Sequence, residues 1–167
     1  MAGMIIRPAV LDDIHAIAAI YAEAVLTTTA TADEEPPPRA QREAWLRVHQ
    51  CDGYPVFVAE IEEQIVGWGS LSPYHVRAAY RFTAEDSVYV AEHARGRGVG
   101  RALLAPLVAT ARSMGLHSLM ALIEGSNEAS LRLHERFGFV RVGLAPQVMF
   151  KFERWLDVAL LQLRLNP

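Results

Sequence analysis

Apolar and polar positions change period several times along the chain, and each change marks an element. Met4-Ile5-Ile6-Arg7 is a short strand signal ended by Pro8, after which Asp12 or Asp13 can cap a helix. Ile14, Ile17, Ala18, Tyr21 and Val25 then recur at helical spacing. Thr27 to Pro38, rich in Thr and acidic residues and closed by three consecutive prolines, cannot continue that helix and predicts a loop placed to border a substrate site. Arg39 to Gln50 predicts a second helix, and Asp52-Gly53-Tyr54-Pro55 breaks the chain before the strand Val56 to Ile61. A hairpin follows through Glu62-Glu63-Gln64. Its return strand, Ile65 to Leu71, carries Gly67 and Gly69, which signal a bulge or a close backbone approach. Thr83 to Val90 supplies a further strand.

Val99 to Met114 is strongly helical, with Leu103, Leu104, Leu107, Val108 and Ala111 on one face and Gly115 as its stop. Pro106 inside it predicts a bend, because proline removes a backbone donor. Ser118 to Ile123 reads as a buried strand, Glu128 to Phe137 as a short helix ended by Gly138, and Phe139 onward as two strands reaching Leu165. The order β-α-α-β-β-β-α-β-α-β-β predicts one α/β domain over residues 1–167, a mixed sheet with helices on both faces.

A length of 167 residues fits one domain, and a net charge of −3 with 16 Lys and Arg spread along the chain argues against a nucleic-acid partner. The one basic concentration, Arg95, Arg97 and Arg101, sits among glycines and suits a compact polyanion. No apolar run is long enough to span a bilayer, and Met1-Ala2-Gly3-Met4 lacks the regions of a signal peptide, so the expected location is the cytoplasm, without membrane association. A lone Cys51 has no partner for a disulfide and no metal-ligand cluster beside it; its expected role is packing, and no metal site is predicted.

The chemistry begins at Arg95-Gly96-Arg97-Gly98-Val99-Gly100, where three glycines and two arginines separate a strand from a helix. Glycine lets successive backbone N–H groups converge on one anion, and the helix N-terminus adds positive potential. A dinucleotide fingerprint would need glycine at position 101, which is Arg, and a Walker loop would need Gly-Lys followed by Ser or Thr.

Taken with Asn127-Glu128-Ala129-Ser130-Leu131-Arg132-Leu133-His134-Glu135-Arg136-Phe137-Gly138-Phe139, this loop resembles the GNAT acetyltransferase superfamily over nearly the full chain. The resemblance implies a central, mostly antiparallel sheet of about seven strands and acetyl-CoA as co-substrate. It places the pyrophosphate on Arg95, Gly96, Arg97, Gly98, Val99, Gly100 and Arg101, the pantetheine arm along Val88 and Val90, and further cofactor contacts on Asn127 and Ser130. Within the superfamily, Tyr80 to Val90, Leu133-His134-Glu135 and Lys151-Phe152-x-Arg154-Trp155-Leu156-Asp157 look like the phosphinothricin and methionine sulfoximine acetyltransferases, which implies a small amine acceptor and a homodimer.

Acetyl transfer to an amine needs a proton acceptor, because aliphatic amines are mostly protonated at neutral pH. The resemblance puts the general base at Glu85, with Asp86 as an ionisable competitor one residue on. Strand alternation sets Glu85, Ser87 and Tyr89 on one face and Asp86, Val88 and Val90 on the other. A backbone N–H, at Val90, is the expected oxyanion donor. Asn127, Ser130, Leu131 and His134 share one helix face, which places His134 between the cofactor segments as a general acid for the departing thiolate or, alternatively, as a packed ring bonded to a carbonyl. Arg77 and Arg81 precede the catalytic strand and are candidates for pairing with an acceptor carboxylate. Ala32, Tyr74-His75, Met149 and Glu153 depart from the family pattern in segments expected near the acceptor. Peptide N-termini and polyamines remain alternative acceptors, and a non-catalytic acyl-CoA-binding module the alternative class.

Overall fold

The computed structural model describes residues 3–165; Met1 and Ala2 of the start segment lie outside them. Seven strands form one sheet: β1 (Ile5–Pro8), β2 (Val56–Ile61), β3 (Gln64–Pro73), β4 (Thr83–Val90), β5 (Ser118–Glu124), β6 (Val140–Lys151) and β7 (Arg154–Arg164). Their spatial order is β1-β2-β3-β4-β5-β7-β6, and every neighbouring pair is antiparallel except β4–β5. The four α-helices are α1 (Ile14–Thr27), α2 (Arg39–Asp52), α3 (Val99–Ser113) and α4 (Glu128–Arg136).

Alternation along the central strands sorts the helices between the two faces. On one face Trp68 packs with Tyr21 of α1, Trp45 of α2 and Tyr89 of β4, its ring stacked on Tyr89 at 4.9 Å. Arg42 is buried inside this cluster, its guanidinium 4.3 Å from the Trp45 ring and 4.4 Å from that of Tyr21, an arrangement that offsets its lost hydration. On the other face Leu103, Leu104, Leu107 and Ala111 of α3 meet the sheet.

Gly67 and Gly69 are the reason α3 lies so close. A Cβ at Gly67 would sit 2.9 Å from Val99 Cγ1 and 3.0 Å from the Tyr89 carbonyl, and one at Gly69 would sit 3.0 Å from Leu107 Cδ1. Both expectations meet at Gly67: beside the close approach, the β2–β3 register shifts between Ala59↔Gly67 and Glu60↔Ile65, which leaves Val66 as the extra residue. The β2–β3 turn is also tighter than expected, with Glu62 and Glu63 both at left-handed φ and Gln64 already in the strand. α3 continues through Pro106, which does not end it.

Cys51 corrects the packing expectation. α2 runs on to Asp52, which turns Cys51 away from the Trp45–His49 face, and the thiol is exposed. Among the described residues no helix is long and apolar enough to cross a membrane, and no group of three or more His, Cys, Asp or Glu is placed to hold a metal ion.

Gly67→Ala is expected to destabilise the protein by about 1–3 kcal/mol through overpacking against Val99 and Leu103, read as a lower denaturant midpoint at unchanged m.

Candidate active site

The site forms where the sheet opens. β4 and β5 pair only over Thr83–Glu85 against Ser118–Met120 and then diverge. Tyr74 N–H donates to the Thr83 carbonyl and Ala91 N–H to that of Val66, so odd-numbered residues of β4 direct their backbone groups to β3. Even-numbered residues turn theirs to β5, so past the last pair, Glu85↔Met120, the N–H groups of Val88 and Val90 face the gap, where no strand meets them. Such groups are an extended edge on which an amide-containing chain can pair.

Two cavities meet in this gap. The larger, about 800 Å³, is lined by Val88 and Val90, by Arg95, Gly96, Gly98, Val99, Gly100 and Arg101, and by Asn127 and Ser130 of α4. Gly96 and Gly98 hold φ of 75° and 82°, a conformation that side-chain-bearing residues rarely adopt, and together they curl the backbone into α3. A Cβ at Gly100 would sit 3.1 Å from Leu133 Cδ2, so α4 closes directly on the α3 N-terminus. Asn127 caps α4, its Oδ1 accepting from Ser130 N–H at 3.2 Å, which leaves its amide N–H₂ to donate elsewhere. A glycine cradle, a helix N-terminus and an open strand edge fit the pyrophosphate and the amide-bearing arm of coenzyme A.

Two arginines of the loop are placed differently. Arg95 ties the loop to the scaffold, donating from Nη2 to Glu23 Oε1 at 2.9 Å and from Nε to the Val90 carbonyl at 3.2 Å. Arg97 is exposed and is not among the groove-lining residues.

The smaller cavity, about 410 Å³, is lined by Glu85, Asp86, Ser87, Tyr21, Thr31 and His134, and it shares Val88, Tyr89, Asn127 and Ser130 with the groove. Its outer wall is the α1–α2 loop. Thr29 Oγ1 donates to Glu124 Oε2 at 2.8 Å, Tyr21 Oη bonds Thr31 and Asp33, and the buried Lys151 Nζ donates to the Thr31 carbonyl at 2.9 Å. Burial opposes charge on Glu124, but hydrogen bonds from Ser126 and Thr29 outweigh it and hold its carboxyl below the usual range.

Glu85 makes no hydrogen bond or ion pair with the described residues. Burial, with the Asp86 charge beside it, raises its pKa and makes it a stronger base than an exposed glutamate. His134 is 4% exposed and both ring nitrogens are engaged: Nε2 with Asp86 Oδ2 at 2.8 Å and Nδ1 with the Ser130 carbonyl at 2.8 Å. Burial lowers the affinity of the ring for a proton, yet the Asp86 hydrogen bond and charge and the Ser130 carbonyl outweigh it, and the His134 pKa is raised. The carbonyl contact expected of a packed ring is present, joined by an ion pair with Asp86.

Arg77 and Arg81 line neither cavity. Arg81 turns back on its own loop, donating to the Ala78 carbonyl at 3.2 Å and lying over the Phe82 ring, while Arg77 is exposed. The Thr27–Pro38 loop does border this cavity, as its composition predicts, but the sequence reading gave no role to Thr29, Thr31, Glu124 or Lys151 individually. It also missed the Asp86–His134 pair, although alternation had already put Asp86 on the Val88 face that α4 covers.

Asp86→Asn removes the carboxylate that favours the charged ring and leaves burial, the largest influence, opposed only by the Ser130 carbonyl. The His134 ring is then expected to titrate below an ordinary histidine, followed by NMR of its ring protons. Because the folded-state pKa is raised, the stability advantage of wild type over Asp86→Asn is full below the unfolded histidine value of about 6.5 and is lost as pH rises through the folded value.

Residues 17–139 match the family model described as Acetyltransferase (GNAT) family. The chain is 43% identical over 163 residues to an L-methionine sulfoximine/L-methionine sulfone acetyltransferase from Pseudomonas aeruginosa, covering 97% of this chain and 95% of that protein. It is 44% identical to a phosphinothricin N-acetyltransferase from Alcaligenes faecalis over 93% of this chain and 79% of the other. A phosphinothricin acetyltransferase from Sinorhizobium meliloti, solved in complex with acetyl-CoA, superposes with a TM-score of 0.95 at 38% identity, covering 98% of this chain and 89% of that one. With its open β4 edge, glycine cradle and capped α4 arranged as an acetyl-CoA groove, the chain belongs to the GNAT acetyltransferase family and is an acetyl-CoA-dependent N-acetyltransferase.

Proposed function

We propose that the enzyme acetylates the primary amine of a small amino-acid-like acceptor of the methionine sulfoximine, methionine sulfone or phosphinothricin type. The observation that carries this reading is Glu85, a carboxylate without a protein partner, made more basic by burial, in a cavity that opens into the cofactor groove. About 410 Å³ suits a molecule of amino-acid size, and the bonded α1–α2 loop limits its depth. The relatives named for these acceptors, matched over most of both chains, support the same class.

Acetyl-CoA, when bound, supplies an acetyl thioester. Glu85 takes the proton of the acceptor's ammonium, directly or through one water, and leaves the nitrogen lone pair free to attack. The gap-facing N–H groups of Val88 and Val90 are placed to hold the pantetheine amides and to donate to the developing oxyanion. His134, fixed between Asp86 and the Ser130 carbonyl and given a higher proton affinity by Asp86, is the candidate general acid for the departing thiolate, to which it must turn one of its two engaged nitrogens.

A homodimer in the cytoplasm completes the proposal. Its support is the resemblance together with Val140, Val142, Leu144, Val148, Phe150 and Trp155, large apolar side chains exposed on the two outermost strands. Sedimentation equilibrium at micromolar concentration is expected to give twice the chain mass.

Free-thiol release from acetyl-CoA is expected with methionine sulfoximine, methionine sulfone or phosphinothricin and not with polyamines; release only with peptides would replace the acceptor class. Glu85→Gln is expected to lower kcat by about 10²–10⁴-fold while acetyl-CoA binding persists. In wild type, activity rises as pH climbs through the raised Glu85 value, and the variant should lose that acidic limb. Unchanged turnover across pH would remove Glu85 from the mechanism. His134→Phe with wild-type rates would assign that ring to packing alone.

A further inference from the structure

The larger cavity continues past the glycine cradle to a part of α4 that the acetyl transfer does not use. Coenzyme A carries negative charge in two places, the pyrophosphate and the 3′-phosphate of its ribose, a monoester with a charge of about −1.5 to −2 at neutral pH. The Gly96–Gly100 turn and the α3 N-terminus offer one cradle. Arg95 adds little free charge to it, because Glu23 neutralises its guanidinium.

The groove-lining cations left are Arg101, Arg132 and Arg136. Arg132 and Arg136 stand one turn apart on α4 and flank Leu133, whose side chain abuts Gly100. Both line the groove and neither lines the cavity of Glu85, so they sit beside the phosphate loop and apart from the reacting end. Arg136 forms no ion pair with the described residues. Arg132 meets Glu128 at 2.6 Å, but both side chains are well exposed, so that pair is weak and exchanges readily.

We propose that Arg132 and Arg136 form the subsite for the 3′-phosphate of coenzyme A, and that they make the enzyme discriminate acetyl-CoA from acetyl donors lacking that phosphate. A guanidinium fork can donate two hydrogen bonds to one phosphate, and the exposure of both side chains sets the ribose end at the groove mouth. The inference rests on acetyl-CoA as co-substrate and is independent of which amine receives the acetyl group.

The test compares acetyl-CoA with acetyl-3′-dephospho-CoA in wild type, in Arg132→Ala/Arg136→Ala, and in Arg141→Ala, an exposed arginine outside the groove. Wild type is expected to favour acetyl-CoA in KM by about tenfold or more, falling as ionic strength rises. The double variant should narrow that preference to about twofold by weakening acetyl-CoA alone, and Arg141→Ala should keep the wild-type ratio. Equal weakening of both donors would assign the arginines to the pyrophosphate and overturn the proposal, as would a preference that survives in the double variant. Calorimetric binding of coenzyme A and 3′-dephospho-CoA yields the same ratio without turnover, so inactivity toward every amine tested would count against the acceptor class and leave this result readable.

Discussion

Parallel pairing between β4 and β5 lasts three residue pairs, and every functional group described here takes its position from the point where it stops. Had the ladder continued, the N–H groups of Val88 and Val90 would be satisfied by β5, and the sheet would be closed. The divergence leaves them without a strand partner, and a buried or half-buried backbone group in that condition favours any ligand that can pair with it. α3 and α4 stand at the open end for the same reason. The glycines at 67 and 69 let α3 settle against the sheet, and its N-terminus is thereby aimed at the mouth of the gap.

Electrostatics then divides the gap into parts with different tasks. The cofactor end is made of backbone dipoles and arginines at the solvent boundary, where charge is cheap to hold and screened by salt. The reacting end contains a carboxylate made more basic by burial and an imidazole whose affinity for a proton is raised by a carboxylate behind it. Glu85 and Asp86 are adjacent in sequence and opposite in circumstance. One has no partner and is suited to exchange a proton; the other is bonded to His134 and fixes where a positive charge stands.

Much of this was legible in the sequence because it depends on local rules. The glycine spacing, the start of α4 at Glu128 and the helical face joining Asn127 to His134 all lie within single elements, and the structure retains each of them. The hairpin turn shifted because two glutamates accept left-handed backbone, a preference usually associated with Gly and Asn. Arg77 and Arg81 were chosen by proximity in sequence to β4, but the loop before a strand does not share the strand's direction, and Arg81 folds back onto Phe82. Arg95 lines the groove as expected of its place in the loop, but nothing local reveals its ion pair with Glu23, 72 residues away. Lys151 and Glu124 were invisible for the same reason, since their partners are set by the meeting of distant segments.

Lys151 holds the Thr31 carbonyl across 120 residues of sequence, from the outermost hairpin to the loop that walls the acceptor cavity. The last two strands therefore reach the two cavities unequally: Met149 and Val158 line the smaller one, whereas no lining residue of the larger comes after Arg136. A change in the outermost hairpin is felt at the wall of the Glu85 cavity, through the Thr31 carbonyl, before it is felt along the glycine cradle.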